Sequence, residues 1–366
     1  MMRLSLPLLL ICALAGCAGR PTEQTIWPVP APEAAVQATE SRIFVATTRT
    51  SAVRLADGYT SGRSDEMGFA EFTVSIPPNH VPGQIEWPKG IADPRTDFAV
   101  TQHLRVDRSS FLQRVAAADA QRSVVFVHGF NYSFPESLYR TAQMQADAQL
   151  SGAPVLFSWP SAASLRGYPV DQDSAAFSRD ALDDLLTRLT ADTGADSITV
   201  FGHSMGGWLV MEALRQMRLA GKDDALSRLE VILAAPDIDV DVFRQQMAVI
   251  GRMDIPLVVM VSPDDRALRL SGATRRYGRL GALDLTDPRI QAAARAANVT
   301  LVDISSADAS TPANHDRYIA VAAAYPALLN EVRQGGGFAE AGTFVLDSAG
   351  QIITAPLRAV DATLGR

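Results

Sequence analysis

Residues 198–207 read Ile-Thr-Val-Phe-Gly-His-Ser-Met-Gly-Gly, and this stretch decides the fold. Four apolar or β-branched residues lead into the pattern Gly-x-Ser-x-Gly, and a helix-compatible stretch over 207–219 follows it. A strand, a sharp turn and a helix in this order form a nucleophile elbow, which lifts a serine hydroxyl above a sheet. The glycines at 202 and 206 keep side chains out of the tight turn. The stretch therefore predicts that Ser204 is a nucleophile on an α/β fold.

Strand candidates alternate with helix candidates on both sides of this stretch. Continuous apolar runs are typical of strands buried on both faces of a sheet, and strands are predicted over 43–48, 69–76, 98–101, 123–127, 153–159, 198–201, 229–234, 256–261 and 299–304. Helices are predicted over 133–150, 182–189, 207–219 and 316–333. This alternation predicts the α/β fold class, with a mostly parallel central sheet and helices on both faces.

A serine hydroxyl needs a base within hydrogen-bond reach before it acts as a nucleophile. The chain has five histidines: His80, His103, His128, His203 and His315. Only His315 follows the elbow, in the loop after the predicted strand 299–304, and the order serine, acid, histidine is typical of hydrolases with this elbow. His203 adjoins Ser204 and should point away from it. Chain order therefore favours His315 as the base.

Two backbone N–H groups should bind the charge that develops on the substrate carbonyl oxygen. One is expected at Met205, directly after the nucleophile. The other is expected in the loop after strand 123–127, where the sequence reads His128-Gly129-Phe130. Glycine at 129 lets the backbone approach closely. The N–H of Phe130 is therefore the second candidate for this oxyanion hole.

Three carboxylates could orient the histidine. Asp237 follows the predicted strand 229–234, whereas Asp264 and Asp265 follow the next strand, 256–261. The acid of this fold class usually follows the later strand, which favours the adjacent pair. The residues by themselves leave the choice within that pair open.

Several blocks of the chain resemble the alpha/beta-hydrolase superfamily, and most of all a bacterial esterase/lipase-like branch catalogued as a domain of unknown function. The blocks lie at 46–49, 74–78, 127–131, 157–161, 202–206, 234–239, 262–268 and 314–316, so the resemblance spans about 42–333. It implies an alpha/beta-hydrolase fold and hydrolase chemistry, without a substrate. One block of the family reads Ser, two variable positions, Asp, one further residue and then Ala-Leu. Aligned with 262–268, this block implies Asp265 as the acid that acts with Ser204 and His315.

These residues predict a serine hydrolase, most readily a carboxylic ester hydrolase acting through an acyl-enzyme on a small-molecule or lipid ester. A catalytically silent envelope protein that binds a partner through the same fold is an open alternative, as is a serine peptidase or acyltransferase. Residues 160–178 either line an acyl pocket or pack as an ordinary loop; the apolar and aromatic candidates there are Leu165, Tyr168, Pro169 and Phe177.

The composition excludes other classes of protein. Among 366 residues, 33 are Lys or Arg and 40 are Asp or Glu, and a formal net charge of −7 without a basic run argues against nucleic-acid binding. The only cysteines are Cys12 and Cys17, so the rest of the chain holds no disulfide, cysteine-ligated metal or cysteine nucleophile. No cofactor or metal is expected, because phosphate-binding loops and metal-ligand spacings are missing from the sequence.

The N-terminus has the order of a secretory signal. Arg3 precedes an apolar run over 4–15 that is too short to span a bilayer. Leu14-Ala15-Gly16-Cys17 resembles a bacterial lipoprotein lipobox, which implies cleavage before Cys17 and lipid attachment to it. Ala18, where an inner-membrane signal usually has Asp, favours the outer membrane. The expected location is the bacterial cell envelope, with the lipid-anchored domain facing the periplasm.

Four segments follow from these features. They are a signal peptide at 1–16, the lipidated Cys17 with a proline-rich extended tether at 17–41, a hydrolase domain at 42–334, and a tail at 335–366 with no assigned role.

Overall fold

The computed structural model describes residues 20–32, 38–119, 122–148, 152–273, 278–322, 343–346 and 352–354. The signal peptide, Cys17, most of the tail and the part of the predicted 316–333 helix beyond 322 lie outside these residues. No helix among the described residues is long and apolar enough to cross a membrane.

The strands of the described residues form one sheet of eleven in the order β11-β10-β9-β8-β7-β6-β4-β5-β1-β2-β3. Their bounds are β1 Thr39–Ser51, β2 Tyr59–Ile76, β3 Ala99–Val106, β4 Arg122–Val127, β5 Ala153–Ser158, β6 Ser197–His203, β7 Leu229–Ala234, β8 Leu257–Val261, β9 Val299–Asp303, β10 Thr343–Leu346 and β11 Ile352–Thr354. In this spatial order, each neighbouring pair between β10 and β1 is parallel. The β1–β2, β2–β3 and β10–β11 pairs are antiparallel.

Helices cover both faces of the sheet. Their bounds are α1 Arg108–Ala118, α2 Phe134–Ala148, α3 Tyr168–Phe177, α4 Arg179–Asp192, α5 Met205–Leu219, α6 Asp223–Leu226, α7 Val240–Ile250, α8 Arg266–Ala273, α9 Pro288–Ala296 and α10 Arg317–Ala320. One buried cluster joins α1, α4, α5, α7 and α9 to the sheet, and a second joins α2 and α10 to it. Val200 packs in the first cluster and Phe201 in the second, as alternation along a doubly covered strand requires. The predicted fold class is confirmed.

The segment at 20–32 differs from the predicted extended tether, because it packs on the domain. Ile26 is fully buried in a single 3-10 turn, and the Tyr139 hydroxyl donates to the carbonyl of Thr25. The N–H of Val29 donates to the carbonyl of Val100 at 2.9 Å. One turn is too short to show a hydrophobic period, so the sequence pattern concealed this docking. Residues 20–32 belong to the folded domain.

The parallel strands bring the predicted site residues to one edge of the sheet. Ser204 directly follows β6, Gly129 follows β4, Asp265 follows β8 and His315 lies in the loop after β9. Since all four strands run in the same direction, their carboxyl ends meet at this edge, where open α/β sheets place their ligands.

Candidate active site

Ser204 lies in the turn between β6 and α5 with a strained backbone. Its φ is 54° and its ψ is −121°, a conformation that a side chain with a Cβ rarely adopts. Its N–H donates to the carbonyl of Ala234 at 3.0 Å, and its own carbonyl accepts the N–H of Asp237 at 3.2 Å. These bonds hold the residue in a conformation of this kind, which costs on the order of 1–3 kcal/mol.

Two glycines make the turn sterically possible. A Cβ at 206 would overlap the carbonyl oxygens of Val127 and His128, and a Cβ at 202 would lie 2.9 Å from Cα of Gly207. Both contacts are with backbone, which cannot give way as a flexible side chain can. The Gly-x-Ser-x-Gly pattern is therefore required by the close approach of β4, β6 and α5.

His315 and Asp265 form a hydrogen-bonded pair at this edge. Nδ1 of His315 lies 2.6 Å from Oδ2 of Asp265, whose side chain is fully buried, whereas that of His315 is 20% exposed. A carboxylate only accepts, so Nδ1 carries the proton and Nε2 is left as a possible acceptor. Oδ1 of Asp265 accepts the N–H of Leu268 at 2.9 Å, at the beginning of α8.

The loop of His315 packs beside the elbow through His203. The ring centroids of His203 and His315 are 4.9 Å apart, and Tyr318 covers His203 at 4.3 Å. Burial, followed by the nearby His315, holds the pKa of His203 well below its ordinary value, so its ring is neutral. Within the described residues, no hydrogen bond joins Oγ of Ser204 to His315. Such catalytic contacts are often long before substrate binds.

The two other candidate acids have different partners. Asp264 is half exposed, and Oδ2 accepts from Asn314 and Arg317, both at 2.9 Å. Its hydrogen bond with Arg317 lowers the pKa of the Asp264 carboxyl. Asp237 is buried and forms an ion pair of 3.1 Å with Arg279. Among the three, Asp265 is the carboxylate that the described contacts place on His315.

The loop after β4 carries Gly129 and Phe130, and we call it the oxyanion loop. It packs directly on the elbow. A Cβ at Gly129 would lie 3.0 Å from Cβ of Ser204 and 2.8 Å from Nδ1 of His203, so the backbone passes as closely as glycine allows. The N–H groups of Phe130 and Met205 have no hydrogen-bond partner in the described part of the chain. Both predicted donors are therefore available on either side of Ser204.

Arg49 of β1 holds this loop through buried hydrogen bonds, a role that the sequence did not reveal. Its buried guanidinium donates to Oγ of Ser158 and to the carbonyl of Tyr132, both at 2.9 Å, and to the carbonyl of Ser161 at 3.3 Å. Burial lowers the pKa of Arg49 to about 9, and the nearby Asp171 opposes that shift, so the group stays charged at neutral pH.

Asp171 of α3 completes this support. It is fully buried, and it accepts the N–H of Asn131 at 3.1 Å, the hydroxyl of Ser161 at 2.6 Å and the N–H of Ala162 at 2.6 Å. Buried charges of opposite sign on β1 and α3 thus hold the loop that carries Phe130. The resemblance marked the blocks 46–49 and 157–161, but no spacing signal assigned Asp171 a part.

A cavity of about 80 Å³ adjoins Met205, and its walls are aromatic and polar as well as apolar. It is lined by Tyr168, Gln172, Met205, Trp208, Asp237, Asp239, Val242 and Arg279. Of the residues expected to line an acyl pocket or pack in a loop, Tyr168 lines this cavity, whereas Leu165 is 78% exposed and Phe177 38% exposed.

Comparisons with known proteins identify the family of this chain. Residues 105–333 match the family model described as "Alpha/beta hydrolase of unknown function (DUF900)". The crystal structure of a "Putative hydrolase" from Agrobacterium vitis S4 is similar at 12% identity, with a TM-score of 0.32, over 81% of this chain and 99% of that one. No curated protein matches the chain.

Proposed function

Because this chain belongs to the alpha/beta-hydrolase family of unknown function, we propose that it is a serine hydrolase that cleaves carboxylic esters through an acyl-enzyme. The observation that carries the proposal is the 2.6 Å pair of Asp265 and His315 beside the strained turn of Ser204. Ser204, His315 and Asp265 act as nucleophile, base and orienting acid. The N–H groups of Phe130 and Met205 act as the oxyanion hole.

In this mechanism Nε2 of His315 takes the proton of Ser204 while Oγ attacks the ester carbonyl carbon. The resulting oxyanion accepts hydrogen bonds from the two free N–H groups, and the His315 cation is stabilised by Asp265. The C–O bond to the alcohol breaks as His315 returns the proton to the leaving oxygen. Water then attacks the acyl carbon while His315 takes one of its protons, and the bond between that carbon and Oγ of Ser204 breaks as His315 returns the proton to Oγ. One ester and one water thus give one acid and one alcohol.

Labelling with a fluorophosphonate probe, with p-nitrophenyl esters of several chain lengths alongside, tests the proposal. We expect stoichiometric labelling at Ser204 and turnover that falls by several decades in Ser204→Ala and His315→Ala, while the circular dichroism is unchanged. Ser227→Ala is the matched control, because this exposed serine precedes β7 and so lies at the opposite edge of the sheet from Ser204. Folded protein without labelling would favour the silent binding protein. Labelling with turnover of peptides but not esters would favour the peptidase.

We also propose that Cys17 carries a lipid anchor in the bacterial envelope, on the strength of the lipobox-like run before it. A single acyl chain binds a membrane only marginally, whereas two or more hold it firmly. Cys17→Ser should therefore move the protein from the detergent phase to the aqueous phase in a phase-separation experiment. Wild-type protein that already partitions into the aqueous phase would overturn the anchor.

A further inference from the structure

The attachment point of the folded domain lies next to the candidate active site. Arg20, the first described residue, donates to Oδ1 of Asn131 at 3.0 Å and to the carbonyl of Ala163, and forms an ion pair of 2.7 Å with Glu136. Asn131 directly follows Phe130, the candidate oxyanion donor. The chain therefore enters the domain at the edge of the sheet where the site opens.

The distance from that entry to Cys17 is bounded by covalent geometry. Three residues of any conformation span at most about 11 Å, at 3.3–3.6 Å per residue. A lipid on Cys17 would consequently hold the backbone of Arg20 within about that distance of the bilayer surface. The docking of 20–32 removes the long reach that an extended tether over 17–41 would have given.

Exposed apolar side chains lie in the segments next to this cavity, and one of them, Val242, lines it. Leu165 is 78% exposed, Val170 53%, Val242 41% and Leu270 70%; we call these four residues the apolar rim. Hydrogen bonds join two of the segments that carry these residues, at α3 and α8. Tyr168 lies between Leu165 and Val170 in sequence and shares the cavity wall with Val242. The Tyr168 hydroxyl donates to Asp237, which also accepts from Ser271, the neighbour of Leu270.

Two members of the apolar rim have an arginine as their immediate neighbour in the chain. Arg166 and Arg269 are exposed and directly adjoin Leu165 and Leu270, in a chain whose net charge is −7. The acid beside Val242, Asp241, is paired with Arg244 at 3.1 Å. Apolar side chains flanked by arginines are typical of surfaces that lie in the headgroup region of a bilayer.

We propose that the apolar rim rests on the bilayer that holds Cys17, so that the active site opens towards the membrane surface. This inference rests on the lipid anchor of the proposed function. The occupant of the rim is the phospholipid surface, and the favoured substrates are esters located in or close to it. The domain then acts as an interfacial enzyme that residues 17–19 connect to the membrane.

The lack of cysteine beyond residue 17 permits a direct measurement. Leu165→Cys is labelled with an environment-sensitive fluorophore in the full lipidated chain, which is reconstituted into phosphatidylethanolamine/phosphatidylglycerol vesicles containing nitroxide-labelled lipid. Leu219→Cys is the matched control, because it is 59% exposed but lies at the far end of α5, which begins beside Ser204. We expect quenching at 165 to exceed quenching at 219 several-fold.

Equal quenching at 165 and 219 in vesicle-bound protein would overturn the inference and leave the anchor intact. Protein that does not bind vesicles would overturn the anchor, and with it the inference. A change at 165 that follows protein concentration, and is the same without vesicles, would show contact between two copies and would also overturn it.

A second measurement does not depend on a label. The double variant Leu165→Ser/Leu270→Ser should lower the rate on an ester carried in vesicles several-fold relative to the rate on a soluble p-nitrophenyl ester. Leu219→Ser, the control, should leave that ratio unchanged. An unchanged ratio in the double variant would contradict the inference. The Ser204→Ala variant should lose both rates, and it tests the proposed chemistry rather than the membrane contact.

Discussion

Asp265 binds His315 through one carboxylate oxygen and the backbone of α8 through the other. Oδ2 lies 2.6 Å from Nδ1 of His315, and Oδ1 accepts the N–H of Leu268 at 2.9 Å. A carboxylate at a helix N-terminus is stabilised by the free N–H groups and the dipole there. The helix therefore sets the direction of the carboxylate, and the carboxylate sets the direction of the imidazole ring.

Asp265→Asn should preserve the fold and lower kcat by on the order of 10⁴, because the amide favours the wrong histidine tautomer. Steady-state kinetics with a p-nitrophenyl ester, alongside thermal unfolding, would measure both effects. Asp264→Asn is the matched control, since that carboxylate is half exposed and pairs with Arg317. We expect the control to stay within about tenfold of the wild type. A collapse in the control with Asp265→Asn nearly normal would move the acid to position 264.

Gly129→Ala should lower kcat by about 10²–10³, the usual effect of losing one oxyanion donor. The new Cβ would lie 2.8 Å from Nδ1 of His203 and 3.0 Å from Cβ of Ser204, so the loop that carries Phe130 has to move away. Gly90→Ala is the control, because a Cβ there meets no atom within 4 Å. Equal activity in the two variants would show that Phe130 does not serve as an oxyanion donor.

Arg49→Lys should lower kcat about 10- to 100-fold through the oxyanion loop, since an ammonium group cannot reproduce the guanidinium fork. Ser158, Tyr132 and Ser161 cannot all keep their donors. Affinity for a boronic acid that forms a tetrahedral adduct should fall by the same factor. Arg42→Lys is the control on the same strand, with a side chain that is 58% exposed. A loss of stability without a loss of boronate affinity would confine Arg49 to a folding role.

His103→Phe should make the protein less sensitive to acid. The ring stacks on Phe72 at 4.0 Å, and neither of its nitrogens has a hydrogen-bond partner among the described residues. Burial, followed by Arg105, lowers the pKa of His103 to about 4. Between that value and the unfolded value of about 6.5, only the unfolded chain binds this proton, so stability falls as the pH falls.

One such proton changes the free energy of unfolding by at most about 1.4 kcal/mol per pH unit, and partial exposure of the ring reduces this change. Denaturant unfolding of wild type and His103→Phe at pH 7 and pH 5 would measure the difference. We expect the loss of unfolding free energy between the two pH values to be about 1 kcal/mol smaller in the variant. An identical loss in both proteins would show that His103 titrates normally in the fold.

The central strands could be predicted because parallel strands buried on both faces carry uninterrupted apolar residues. β2 was predicted only over 69–76, although it begins at Tyr59. Its first half is exposed and polar and pairs with β1 through shifts of register around Arg49, so it has no alternating pattern to recognise. Short or irregular elements of this kind are set by their neighbours rather than by their own sequence.

The chain order of the site residues could be predicted because parallel strands deliver their carboxyl ends to one edge. The choice between Asp264 and Asp265 needed the family block, since adjacent aspartates look alike before the loop is folded. The support from Arg49 was hidden for a different reason. An arginine is expected at the surface, and its acceptors are carbonyls from positions 83 and 112 residues away.

The positive φ of Ser204 lowers the stability of the fold at the residue that the proposed chemistry requires. Its φ of 54° is one that glycine adopts without penalty, and replacing a non-glycine residue held there relieves strain of about 1 kcal/mol or more. Glycine also loses more entropy on folding, which offsets part of this gain. A directed-evolution campaign that selected survivors of heating, without an activity assay, would therefore tend to enrich Ser204→Gly and collect well-folded, inert protein.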